Sequence, residues 1–190
     1  MPRPKTISDE DVLAAALDVL AARGAAFTLT DLAARIGLAR ATLIQRFGDR
    51  EAILLRMAGH EVQATRRWLE ALPVETGPEA LWRFLAEIVG SMGAGAGFSA
   101  RVALAALEAQ TPALRDLAQE RYGLVQAAIA ARLPEGPERM QVAAHLHAVI
   151  AGATMQWVAS AGETGLADHV LDRLRWTLDH LPVALLSDRS

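Results

Sequence analysis

Five arginines, Arg35, Arg40, Arg46, Arg50 and Arg56, fall within residues 35–56 against only Asp49 and Glu51. Guanidinium groups are planar, permanently charged and rich in donors, so a cluster of this kind suits phosphate or carboxylate. Two neutral side chains sit among them. Thr42 can bond a phosphate or touch a thymine methyl, and Gln45 can pair bidentately with adenine. Arg40 and Arg46 can do the same with guanine or take phosphate, Ala41 permits close approach, and Arg3 and Lys5 of "PRPK" suit a backbone or minor-groove contact. Catalytic patterns are missing by contrast. The chain has no cysteine and no Walker loop, Rossmann glycine fingerprint or HExxH. "GAGAG" follows no strand and reads as spacing. His145 and His147 are two apart and point to different sides of a helix, which makes a poor metal pair. His169 with Asp172, and Trp176 with His180, share faces only as pairs. Neither an enzyme, a metal nor a cofactor is expected.

The arginines need elements to hold them. Ser8 can cap a first helix whose Asp9, Glu10 and Asp11 suit the positive end of its dipole. Val12, Leu13, Ala16, Leu17 and Leu20 form its inner face, and Gly24 stops it. Thr30 is the expected cap of a second helix, with Leu32, Ala33 and Ile36 inward and Gly37 closing it. A third helix runs from about Arg40 to Phe47, with Leu43 and Phe47 on its buried side. Asp49 caps a long fourth helix whose inner stripe is Ile53, Leu54, Met57, Ala64, Trp68 and Leu72, ended by Pro73. Five more helices are expected at 78–92, 100–110, 112–133, 137–160 and 166–181. "GSMGAGAGFSA" (90–100) reads as a flexible connection or frayed end, and Pro137 as the first position of its helix. No alternating strand pattern or internal repeat is present.

Composition agrees with an all-α chain: hydrophobic residues are 52% and aromatics 5%, leaving Leu and Ala to do the packing. The net charge of -3 is uneven. Residues 1–59 carry eight Lys/Arg and seven Asp/Glu, residues 60–190 eleven and fifteen. The start is basic but lacks the apolar core of a signal peptide, and no uninterrupted apolar run approaches a membrane span, so a cytoplasmic protein is expected.

Two short helices joined by a tight turn form a helix-turn-helix. With Leu43 and Phe47 inward, Arg40, Ala41, Thr42, Ile44, Gln45 and Arg46 lie on or beside the outer side of the second, the side that fits a major groove. The order "FTLTDLAARIGLA" then "RATLIQRFGDREAIL", near the start and followed by helices alone, resembles the TetR family of transcriptional regulators. The residues that carry the resemblance are Thr30, Ala33, Gly37, Thr42, Leu43, Phe47, Arg50, Glu51, Ala52 and Leu54, within about 8–57. The chain departs from the family's pattern at Ile44 (usually Tyr), Arg46 (often His), Ala39 (commonly Ser or Thr) and Arg50 (commonly Lys).

The resemblance implies a homodimer with an N-terminal three-helix DNA-binding domain, residues 1–50, and a helical ligand-binding and dimerisation domain, residues 51–190, linked by the helix at about 49–72. It also implies a repressor of a palindromic double-stranded operator, released by a small apolar or amphipathic effector. Expected DNA contacts are Arg3, Lys5, Thr30, Arg40, Ala41, Thr42, Ile44, Gln45, Arg46 and Arg50. Trp82, Phe98, Tyr122, Met140, His145 and Met155 are candidate pocket residues. Apolar stripes on the last two helices, Val142, Leu146, Val149, Ala153 and Trp157 with Val170, Leu174 and Leu178, suggest an intersubunit four-helix bundle, and Gly152 allows close helix approach. The same stripes could pack within one chain. The competing class is a helical small-molecule-binding or scaffold protein whose helix-turn-helix is vestigial or faces another protein.

Overall fold

The computed structural model describes residues 7–93, 96–160, 164–182 and 185–186, with the side chains of residues 96, 97, 99 and 100 left aside. Arg3 and Lys5 lie outside the described residues. Every regular element among those described is helical: α1 Asp9–Arg23, a 3-10 turn Gly24–Ala26, α2 Leu29–Ile36, α3 Arg40–Phe47, α4 Arg50–Ala71, α5 Pro78–Ser91, α6 Ala96–Glu108, α7 Pro112–Ala130, α8 Arg139–Ala159 and α9 Leu166–His180.

Local chemistry sets most of these bounds. Ser8 caps α1 through a reciprocal box with Asp11: the Ser8 Oγ accepts from the Asp11 amide at 3.1 Å, and the Ser8 amide donates to Asp11 Oδ2 at 3.1 Å. Thr28, rather than Thr30, caps α2. Thr28 has an acid three residues on, Asp31, and the two close the same box; Thr30 has Ala33 there and sits exposed in the first turn. Pro78 occupies the first turn of α5. α6 begins at Ala96 rather than near residue 100, so helix absorbs part of the Gly/Ala-rich stretch. α8 begins at Arg139 rather than Pro137, which stays in the preceding turn.

Chain contacts define two compact units. The first comprises residues up to Ala64 together with Ala94–Glu120. In it α1 packs on α2 and α6, and α2 on α3. Its core joins Val12, Ala16, Leu20, Phe27, Leu32, Leu43, Phe47, Ile53, Met57, Leu104 and Leu114. The helix-turn-helix is therefore held by a hydrophobic centre that α6 and the start of α7 help to build. The second unit comprises Thr65–Gly93 and Arg121–Ser190. There α9 packs against both α5 and α8, over Leu81, Leu85, Ile129, Leu146, Val170 and Leu174. Among the described residues α8 alone is long and apolar enough to cross a membrane, at a mean hydropathy of 1.2. That is weak support for a span, because a core helix passes the same test, and α8 packs along α9.

Candidate nucleic-acid interface

The interface is built from α2, the turn after it, and α3. In the Thr28–Asp31 box the Thr28 amide donates to Asp31 Oδ2 at 2.8 Å and the Thr28 hydroxyl donates to the same oxygen at 2.7 Å. Those bonds, the hydroxyl's first, hold the Asp31 carboxyl below its ordinary range. α2 ends at Gly37, whose φ of 70° is left-handed and cheap only for glycine. The Gly37 and Leu38 amides both return to the Ala33 carbonyl, and the chain re-enters helix at Ala39 without a side-chain cap.

α3 has two inward anchors, Leu43 at 0% and Phe47 at 3% exposure. Arg40, Ala41, Ile44 and Gln45 are exposed, Ile44 at 42%, and Thr42 is half-buried at the edge. Ile44 therefore puts an apolar group on this outer face. Thr30 is exposed on α2. These residues present a donor-rich, partly apolar surface of helix width.

Arg46 and Arg50 are held differently from the other expected contacts. Arg46 Nη2 bonds Asp9 Oδ1 at the start of α1, and its guanidinium flanks the Phe47 ring. Arg50 donates from Nε to the Phe27 carbonyl at 2.8 Å and from Nη2 to the Ala25 carbonyl at 2.5 Å, lying over the Phe27 ring at 4.6 Å. Both guanidinium groups thus have partners inside the first unit. Sequence reasoning missed Asp9 as a partner, since nothing local links it to a residue 37 positions away. The Thr28–Asp31 box was visible in the sequence as Thr-x-x-Asp.

A family model described as "Bacterial regulatory proteins, tetR family" matches residues 12–57, the stretch that holds this helix-turn-helix. Over that stretch the chain is similar to the N-terminal domain of the TetR family. Members of that family are DNA-binding transcriptional regulators, not enzymes. No curated protein matches the chain in sequence. Solved structures match its fold along most of its length. A TetR-family member from Streptomyces coelicolor is 25% identical, with a TM-score of 0.65, covering 86% of this chain and 95% of that one. A transcriptional regulator from Rhodococcus has a TM-score of 0.74 at 19% identity, covering 92% and 100%. SmeT, the repressor of the Stenotrophomonas maltophilia multidrug efflux pump SmeDEF, has a TM-score of 0.70 at 18% identity, covering 96% and 92%.

Elsewhere in the chain, the candidate pocket residues of the second unit do not converge. Phe98 is buried in α6, in the first unit. In the second unit Tyr122, Met140 and Met155 are 42%, 51% and 52% exposed, and His145 is exposed. His147 turns inward, edge-on to Tyr122 at 5.3 Å; burial, then the Arg121 charge, lowers its pKa below 6.5. Trp82 lines an open groove of about 630 Å³ with Leu178, Leu181 and Leu186, its ring covered by Arg175 at 4.4 Å. Of the expected dimer stripe, Val142, Leu146, Ala153, Val170 and Leu174 are buried in the chain's own core. Val149, Trp157 and Leu178 are half-buried, and Gly152 is exposed. Gly152 lines a second groove, of about 590 Å³, between α8 and α9, with Trp176 64% exposed on its rim.

Proposed function

We propose that the chain is a ligand-responsive repressor that binds a palindromic operator as a homodimer and is released by a small apolar or amphipathic molecule. The observation that carries this reading is the split of α3 into a fully buried edge, Leu43 and Phe47, and an exposed face of Arg40, Ala41, Ile44 and Gln45. A helix so mounted suits a major groove. Gln45 pairs with adenine, Arg40 meets guanine or phosphate, Ala41 allows close approach and Ile44 covers a thymine methyl. Thr30 and Thr42 take phosphate, and Arg3 and Lys5 follow the backbone or minor groove. We assign residues 1–50 as the DNA-reading domain and residues 51–190 as the regulatory one, with α4 linking them.

Two copies are needed because a palindrome presents half-sites about 34 Å apart, or a multiple of that. The surface that supports association is the solvent side of α8 and α9, with Gly152 giving close approach and Trp176, Met155 and Val158 exposed. The regulatory unit would take the effector, which weakens operator binding through a higher affinity for one separation of the reading helices. A similar fold from Saccharomonospora viridis was solved with choline. In this chain Arg175 already covers the Trp82 ring, which disfavours a quaternary ammonium there.

Selection of bound duplexes from a random pool, by purified protein at near-physiological salt, tests the proposal. An enriched inverted repeat supports it. A folded, dimeric protein that enriches no motif, alone or with cell extract, overturns it.

A further inference from the structure

The charged knot at the base of α3 has no place in the contacts assigned above. Asp9, the first residue of α1, bonds Arg46 of α3 through Oδ1, and its Oδ2 lies 3.9 Å from Arg56 Nη1 on α4. The Arg46 and Arg56 guanidinium groups both flank the Phe47 ring, at 5.3 and 5.1 Å from its centre. One carboxylate and one ring therefore tie three helices together, at the end of α3 away from its uncapped N-terminus.

Leu43 and Phe47 lie one turn apart on a single line, so they fix which side of α3 faces inward but resist roll about that line weakly. No side chain caps the helix at Ala39, and Ile44 on the opposite flank is exposed, so neither supplies a second lateral hold. Arg46 supplies it. The sensitivity to roll follows from helix dimensions. Side-chain tips lie about 5–6 Å from the axis, so a roll of roughly 10° moves them about 1 Å. A hydrogen bond tolerates only about half an ångström between its ordinary limits, so such a roll breaks a bidentate base contact.

We propose that Asp9 and Arg46 are positioning residues for the recognition helix: their ion pair sets the roll of α3, and Arg46 acts on DNA through that geometry rather than by touching it. The proposal rests on the reading of α3 as the DNA-binding element. The Asp9 and Arg46 side chains are 57% and 28% exposed. An ion pair this open adds little to global stability, so its loss shows in recognition before it shows in folding.

The test is a charge swap. Wild type, Asp9→Arg, Arg46→Asp and the double variant are each titrated with the selected operator and with a scrambled duplex, alongside thermal unfolding. The readout is the ratio of operator to scrambled affinity, which cancels the general effect of added charge and does not respond to a change in stability alone. Each single variant should lose on the order of tenfold in this ratio per half-site, the worth of one good base contact. The double variant keeps one carboxylate and two guanidinium groups in the knot and should return to within about threefold of wild type, as expected for a restored pair in a double-mutant cycle. Asp9→Asn serves as the milder variant should a reversed charge lower the unfolding temperature. Unchanged ratios in the single variants, or a folded double variant that stays as weak as Arg46→Asp, would overturn the proposal. The second pattern would make Arg46 a DNA contact. A wild-type protein that selects no operator fails earlier, on the regulator reading itself, and takes this proposal with it.

Discussion

Arg50 separates two accounts of the same residue, one from its place in the sequence and one from its bonds. As a phosphate contact it would contribute to binding and little to folding. The structure gives it a fork of hydrogen bonds to the Phe27 and Ala25 carbonyls, with its plane over the Phe27 ring. Arg50→Ala removes all three. The Ala25 bond is exposed, and water can replace it at small cost. The Phe27 bond is partly buried, and a bond to a charged donor there is worth about 1.5–3 kcal/mol. The ring contact adds about 0.5–1 kcal/mol. The expected loss is about 2–4 kcal/mol, which for a chain of this size lowers the unfolding midpoint by roughly 5–15 °C. Arg50→Lys sharpens the test, because lysine keeps the charge but presents no fork and no plane to stack. If the fork matters, Arg50→Lys should also be destabilised, and the salt dependence of operator binding should stay near wild type in both variants. The assays are thermal unfolding and operator titration across several salt concentrations. Unchanged midpoints in both variants, with the logarithmic salt slope of Arg50→Ala reduced by about one per site, would refute this account and restore the phosphate contact.

Arg132 is 3% exposed and bonds the Ala128 carbonyl at 2.8 Å and the Pro73 carbonyl at 2.5 Å, with its guanidinium 3.6 Å above the Phe84 ring. Arg132→Ala should cost about 3 kcal/mol in chemical unfolding, because it leaves a carbonyl unpaired and a hollow over the ring; a loss below about 1 kcal/mol would count against that role. His147 has its pKa lowered by burial, so the unfolded chain binds more protons below the ordinary value of 6.5. Its contribution to stability is present in full above that pH and is lost as pH falls towards the folded value. His147→Phe should therefore flatten urea midpoints between about pH 8 and pH 5, relative to wild type. Ile44 should make the operator sensitive to one thymine methyl. Replacing thymines singly by deoxyuridine should weaken wild type about fourfold at that position, from about 0.8 kcal/mol per buried methyl group, and leave Ile44→Ala unmoved. Equal losses in both proteins would mean that another side chain reads the methyl.

Much of the helical plan was legible because the forces that set it are local. Arg40–Phe47 was bounded by its own anchors and by Gly48, and Gly37 announced a left-handed stop. Pro73 marked the end of the long fourth helix in the same way. The errors were also local in kind. Thr30 was preferred to Thr28 although only Thr28 has its acid partner three residues on, and the Gly/Ala-rich stretch 90–100 was read as a flexible connection or frayed end although α6 begins within it, at Ala96.

The sequence by itself determined an all-helical chain with a helix-turn-helix near its start, and which edge of α3 is buried, because hydrophobic period and capping act over one or two turns. Which neighbours meet those faces was a tertiary matter. Arg46 reaches Asp9 across 37 positions, and Arg50 reaches the Ala25 carbonyl across 25, so two cations in a basic cluster became internal ties. The stripe of Val142, Leu146, Val170 and Leu174 told the same story: its period marked a buried face, and packing filled that face from within the chain. Periodicity names the side that leaves water. Only the fold names what it leaves water for, because the partner is chosen by proximity in space and many apolar or acidic residues along the chain would satisfy it equally well.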